Sequence, residues 1–196
     1  MGSMGIRMRV SREEAARNRE RIVDAASKLF RERGFDGIGV SDLMKSVGLT
    51  HGGFYGHFSS KEDLMAQACD RALAHSLEAW AKRAARSPQE PMLAVSRGYL
   101  SSKHRDNPGA GCLMATLGSD AARQGPAVRH AVTQRLRQAF ELLARLVRGR
   151  SEQRRRQTAI STYASWIGAV IMARAVDDQT LSQEILDAVL ASCSKP

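Results

Sequence analysis

The chain has 196 residues, 43% of them apolar and 26% charged, and it carries a formal charge of +10 at pH 7. That length can bury a real core in one large domain or two small ones, and no stretch reaches the roughly 18 apolar residues of a membrane span. The basic balance favours an acidic partner, nucleic acid first, yet charge alone does not locate its surface, because residues 1–61 hold only eleven Lys and Arg against seven Asp and Glu.

Abundant Ala, Leu and Arg, with only five Pro, favour helix throughout. The first helix is expected over about Ser11–Arg33, with Ser11 and Glu14 as a capping box and Ile22, Ala25, Ala26, Leu29 and Phe30 as its apolar stripe. Gly34 stops it. A glycine-rich turn leads to a short helix, Val40–Val47, which Gly48 breaks. A second short helix, about His51–Phe58, follows Thr50. Ser60 and Asp63 then open a long helix that reaches about Arg86. Pro88 and Pro91 open a fifth helix that is expected to end before Asn107. Gly111–Arg123 reads as a sixth, a stripe from Val128 to Val147 as a seventh, residues around Ile160–Ile171 as an eighth and Leu181–Leu190 as the last. No strand pattern competes, so the fold class is all-α.

Two short helices joined at Gly48 have the layout of a helix-turn-helix, in which the second helix enters the major groove. Val47, Leu49, Phe54 and Phe58 are the residues that would clamp the pair, which makes Phe54 and Phe58 core. The run Gly34-Phe35-Asp36-Gly37-Ile38, then Val40-Ser41-Asp42-Leu43, then Val47-Gly48-Leu49-Thr50-His51-Gly52-Gly53-Phe54-Tyr55-Gly56-His57-Phe58-Ser59-Ser60-Lys61-Glu62-Asp63-Leu64 resembles the TetR family of repressors. The resemblance is dense from about Arg19 to Leu64 and only architectural beyond it.

The resemblance implies a three-helix DNA-binding domain over residues 1–60 and a helical ligand-binding and dimerisation domain over 61–196. It implies a homodimer on a near-palindromic double-stranded operator, released by a small-molecule or electrophile inducer. Carried over by position, Thr50 would cap the recognition helix and touch phosphate, and Tyr55, His57 and Lys61 would bond phosphates. His51, Gly52 and Gly53 would face the groove. Lys is more usual than His51 in the family, and Thr or Ser more usual than Gly53. Base reading would therefore lean on Ser41, Lys45, His51 and Tyr55, with DNA shape taking a larger share. Arg7, Arg9 and Arg12 would suit a minor-groove arm. The run Arg148, Arg150, Arg154, Arg155 and Arg156 reads as a solvated turn.

In the C-terminal half the eighth helix is apolar nearly all round. This gives Trp166, Ile167, Val170, Ile171, Leu186, Val189 and Leu190 as candidates for an intersubunit four-helix bundle, or else for one subunit's own core. Leu73, Trp80, Tyr99, Leu113, Met114, Leu117, Phe140 and Tyr163 are candidates to line an inducer pocket, although each also suits plain core, and no buried charge marks a ligand's polar group. Cys112, at an expected helix N-terminus, is a candidate redox or electrophile sensor if the dipole favours its thiolate, and otherwise a small buried hydrophobe.

The three cysteines, Cys69, Cys112 and Cys193, form no CxxC pair and point to a reducing, cytoplasmic setting, and the N-terminus shows no apolar secretory segment. The five dispersed histidines make neither HExxH nor a zinc site, and no nucleophile elbow or P-loop is present. The expectation is a non-enzyme without metal or cofactor. A helical protein-interaction module with a basic face is the alternative outside DNA binding.

Overall fold

The computed structural model describes residues 12–149 and 151–193. The Ser11 cap, Arg7 and Arg9 of the expected arm, and Arg150 lie outside them. The described residues form nine α-helices and two short 3₁₀ turns: α1 (Arg12–Arg33), α2 (Val40–Ser46), a 3₁₀ turn (His51–Gly56), α3 (Lys61–Ala85), α4 (Pro91–Tyr99), α5 (Ser102–Arg105), a second 3₁₀ turn (Pro108–Ala110), α6 (Met114–Ala121), α7 (Pro126–Leu146), α8 (Glu152–Ala175) and α9 (Gln179–Cys193). The all-α expectation holds. None of these helices is long and apolar enough to cross a membrane.

Local chemistry sets the helix ends. Gly34, at φ +81°, closes α1 by donating its N–H to the Phe30 carbonyl at 2.8 Å. Ser60 Oγ caps α3 by accepting the Asp63 N–H at 3.0 Å, while the Asp63 carboxylate accepts from Ser59 rather than Ser60. Proline opens α4 and α7.

Two expected helices are shorter than their apolar pattern. The fifth breaks at Leu100, because Ser101 is extended and starts α5 by accepting the His104 N–H at 3.2 Å. The sixth begins at Met114, not Gly111. Gly111 is extended, and the Cys112 N–H donates to His104 Nε2 at 2.7 Å instead of entering a helix. Cys112 therefore sits ahead of α6 rather than in its first turn, which removes the helix-dipole premise for a thiolate there.

The apolar side chains gather in two clusters. The first packs Ile22, Phe30, Leu43, Met44, Phe54 and Phe58 onto Leu64, Ala68 and Leu73 of α3, and reaches Leu113, Leu117, Val128 and Val132. The second is aromatic, with Trp80, Tyr99, Tyr163 and Trp166 packed with Leu143, Val170 and Leu186. The Trp80 ring meets Tyr163 edge-on at 5.1 Å, a favourable arrangement of ring quadrupoles. Trp166, Val170 and Leu186 are fully buried within one chain, so they are core and not interface. Ile167, Val189 and Leu190 are half-buried against the same cluster. Of the seven candidate interface residues, only Ile171 is exposed.

His104 fixes the irregular stretch between α4 and α6. Its Nδ1 donates to the Tyr99 carbonyl at 2.6 Å and its Nε2 accepts from Cys112, so the two bonds together specify a neutral ring. Burial pushes the imidazole down to about 4, with the guanidinium groups of Arg174, Arg83 and Arg31 adding to the effect and the Tyr99 carbonyl opposing it. An unfolded imidazole takes its proton near about 6.5, so stability is lost as pH falls from there towards the folded value, by at most about 3 kcal/mol. Urea unfolding between about pH 7 and about pH 4.5 should show this slope in the wild type, and His104→Gln should flatten it. Equal slopes in the two proteins would mean that the ring titrates freely.

Candidate functional site

The helix-turn-helix is built on Gly48, whose φ of +72° favours glycine and whose N–H closes α2 on the Lys45 carbonyl at 3.0 Å. The expected second α-helix is a tighter 3₁₀ turn over His51–Gly56. Glycine at positions 52, 53 and 56 weakens any preference for a regular α-helix there. The turn is held from below, where the buried Phe54 and Phe58 rings stack at 5.5 Å. Thr50 stands at the N-cap position but its side chain makes no capping bond, so the expected cap is absent; its carbonyl accepts the Gly53 N–H instead.

Two arginines of α1 complete the clamp. Arg21 donates to the Val47 carbonyl at 2.7 Å, at the open end of α2. Arg19 donates to the His57 carbonyl at 3.4 Å and lies over the Phe58 ring at 5.1 Å. Sequence reasoning counted both only as charge. The available signal was that a helix end leaves carbonyls in need of donors.

None of the nine expected DNA-contact residues is buried. Tyr55 is 69% exposed and meets the His51 ring edge-on at 6.2 Å. Thr50, His51, Gly52 and Lys45 are exposed, while Ser41, Gly53, His57 and Lys61 are half-buried, Lys61 being the first residue of α3. Lys45 pairs with Asp42 at 3.8 Å, an exposed contact that an incoming phosphate could displace at little cost. The glycines have no internal cause. A Cβ on Gly52 would meet nothing within 4 Å, and one on Gly53 would only touch Met44 and Thr50 at 3.8 Å, with no positive φ at either residue.

The model of the family of bacterial regulatory proteins named tetR matches residues 22–68, from within α1 through the helix-turn-helix to the start of α3. Residues 22–68 thus carry the DNA-binding region of the TetR family. The HTH-type transcriptional regulator AcrR of Shigella flexneri is 30% identical over 92 residues, 47% of this chain and 42% of that protein. The uncharacterized HTH-type regulator YvdT of Bacillus subtilis is 37% identical over 59 residues, 30% of each. The chain thus spans less than half the length of these curated relatives. Over the whole fold, a solved TetR-family regulator of Cytophaga hutchinsonii superposes with a TM-score of 0.77 at 20% identity, covering 92% of this chain and 95% of that one. The reduced form of Escherichia coli NemR gives 0.75 at 24% identity, covering 91% and 95%.

The cavity of the helical half departs from its sequence reading. A cavity of about 490 Å³ opens between α3, α4 and the Ser101–Cys112 stretch, and Arg31 reaches it from α1. Of the expected lining residues only Trp80 and Tyr99 reach it. Leu73, Leu113 and Leu117 belong to the first cluster, Met114 and Phe140 are half-buried beside the cores, and Tyr163 is sealed in the aromatic cluster. Cys112 forms part of the wall, buried, with its Sγ 3.2 Å from Tyr163 Oη. The expectation that no charge would mark the pocket fails at Arg31, whose guanidinium is lowered by burial.

Gly52→Ala and Gly53→Ala should leave the thermal midpoint unchanged or raise it, since each has room for a methyl group and alanine restricts the unfolded chain. Both should weaken DNA binding in anisotropy titrations, by about tenfold if backbone approach is lost. A drop in melting temperature would show an internal role for these glycines instead.

Proposed function

We propose that this chain is a transcriptional repressor that binds a near-palindromic DNA operator as a homodimer and releases it when a small molecule occupies the helical domain. The observation that carries this reading is the recognition turn: its aromatic side faces the core, while its outer side is bare glycine flanked by Thr50, His51, Tyr55, His57 and Lys61. Donors of this kind grip phosphates, and bare backbone permits close approach to the groove. Ser41, Lys45, His51 and Tyr55 are then the groups left to read bases, and the rest of the selectivity comes from DNA shape.

A second copy supplies the other half-site reader. Apart from Tyr55, the exposed large apolar side chains among the described residues are Ile160, Ile171 and Met172 on α8 and Leu181 on α9. On α8 they join Ala164 and Gly168 in one stripe at helical spacing, and nothing within 4 Å fills the place of a Gly168 Cβ. A single unpartnered stripe shared by two adjacent helices suits an isologous four-helix contact. The α8–α9 location of the expected interface is kept, but on the face opposite Trp166 and Val170.

Selection of bound duplexes from a random DNA pool should return two inverted half-sites spaced by about one helical turn or a multiple of it. Binding should survive excess nonspecific competitor and weaken steeply with salt. Ile171→Asp should give a monomer in sedimentation and lose at least about tenfold in operator affinity with its helical content intact. A pool with no enriched sequence favours the protein-interaction module, and an Ile171→Asp dimer moves the interface elsewhere.

A second reading, thiol sensing, keeps one supporting observation: Cys112 is the cysteine on the cavity wall. In the test, iodoacetamide would form an S–C bond at Sγ as iodide leaves and the thiol proton passes to solvent. Alkylation should release wild-type protein from DNA and leave Cys112→Ser bound. Equal release from both proteins, or none from either, removes this reading.

A further inference from the structure

The cavity has a definite charge character. Arg31, Arg83 and Lys103 line it, and no carboxylate does. None of these three cations forms an ion pair among the described residues. Glu32, next to Arg31 on α1, packs against Gly109 and pairs with Lys28 at 3.9 Å. The two histidines on the wall do not change the balance, because His104 is neutral and His75 is exposed.

One polar atom is left over. Tyr99 Oη is buried, on a residue only 3% exposed that lines the cavity, and among the described residues it makes no hydrogen bond of ordinary geometry, Cys112 being close enough only to influence its titration. Burial raises this phenol well above its ordinary range, so it remains a neutral donor. An unsatisfied buried donor is costly to keep. Beside it, Trp80 and the alanines 72 and 79 give the cavity an apolar wall. A volume of about 490 Å³ suits a molecule of one or two fused rings.

The same site touches the reading head. Arg31 lies on α1, and its NH1 donates to the Gly111 carbonyl at 2.7 Å while Nε and NH2 hold Ser27. Three of the five guanidinium N–H groups are thereby engaged, and two remain for a ligand oxygen. An anion drawn to Arg31 competes with, or re-aims, the bond that ties α1 to Gly111.

We infer that this cavity binds a small organic carboxylate with a flat apolar body, its anion held by Arg31, Arg83 and Tyr99 Oη, and that occupancy acts on the head through the Arg31–Gly111 tether. The inference rests on the ligand-responsive reading above and names the ligand class for it. Trp80 supports the ring system, and the absence of any lining acid excludes cationic ligands.

Calorimetry on the full chain without DNA, with 2-naphthoate and its neutral amide as probes, tests the site. Naphthoate should bind at least about tenfold tighter than 2-naphthamide. Tyr99→Phe removes a buried hydroxyl that makes no hydrogen bond of ordinary geometry in the free protein, so it should melt no lower than wild type yet bind naphthoate about fivefold more weakly. The exposed Arg83→Gln should lose a comparable factor. Equal affinity for acid and amide, or unchanged binding by Tyr99→Phe, overturns the site.

Saturating naphthoate should also weaken binding to the selected operator by about tenfold. Unchanged operator affinity overturns the tether. The two readings separate cleanly. Naphthoate binding by a chain that selects no operator overturns the regulator and keeps the site. Operator binding without naphthoate binding overturns the site alone.

Discussion

Helix α3 has to serve two cores at once, and the arrangement of everything else follows from that. Its 25 residues extend roughly 37 Å at about 1.5 Å per residue. Leu64, Met65, Ala68, Cys69 and Ala72 pack beneath the helix-turn-helix, while Trp80 and Ala84 enter the aromatic cluster. Small side chains at 68, 69 and 72 allow close approach by α1. Cys69 acts purely as such a small apolar residue, since burial pushes its thiol up to about 12. Polar bonds pin the helix sideways. Arg71 holds Glu20 and Asp24 on α1, and Asp70 takes a two-pronged bond from Arg135 on α7 at 2.6 and 2.7 Å. A helix held in this way transmits a tilt instead of absorbing it, because close-packed contacts leave no slack.

Much of this architecture is written locally in the chain. The stripe of α1, the Ser60–Asp63 cap, the left-handed Gly48 and the inward Phe54 and Phe58 are all relations within a few residues, and each is present. What escaped a linear reading is long in sequence separation. Arg21 meets Val47 across 26 positions, Arg31 meets Gly111 across 80, and Arg174 reaches the carbonyls of His104 and Arg105 across about 70. An arginine in a helix announces no partner, so its bond to a distant carbonyl has no signature in spacing. The same blindness placed Trp166, Val170 and Leu186 at an interface. A helix that is apolar nearly all round tells only that both sides are covered, not whether the cover is its own chain or another.

The recognition turn shows how composition and geometry divide the work. Glycines at 52, 53 and 56 leave the segment too weak to form a helix alone, and its shape is imposed by two buried rings below and two arginines from α1 beside it. A surface held by its surroundings can afford few side chains of its own. In the proposed DNA-bound state, that trade would remove hydrogen-bonding groups at the base edges, so selectivity would move from direct contacts towards the width and deformability of the groove and affinity would rest with phosphate donors around the rim.

The segment between α4 and α6 is the mechanical counterpart of that turn. Over Leu100–Leu113 the backbone forms one short helix and one 3₁₀ turn, and side chains do much of the holding. His104 bridges Tyr99 and Cys112, Arg174 takes the carbonyls of His104, Arg105 and Ala115, and Arg31 takes that of Gly111. A stretch held by long side chains has fewer cooperative backbone bonds than a helix, so it opens at lower free energy than the helices around it. It also lies between α1, which carries the head, and the cavity wall. A cation such as Arg31, buried at some electrostatic cost and hydrogen-bonded only to neutral oxygens, is sensitive to any charge that enters beside it. In the proposed regulator, that combination of a loosely laddered segment, a desolvated guanidinium and an adjoining cavity would couple occupancy of one region to the pose of the other.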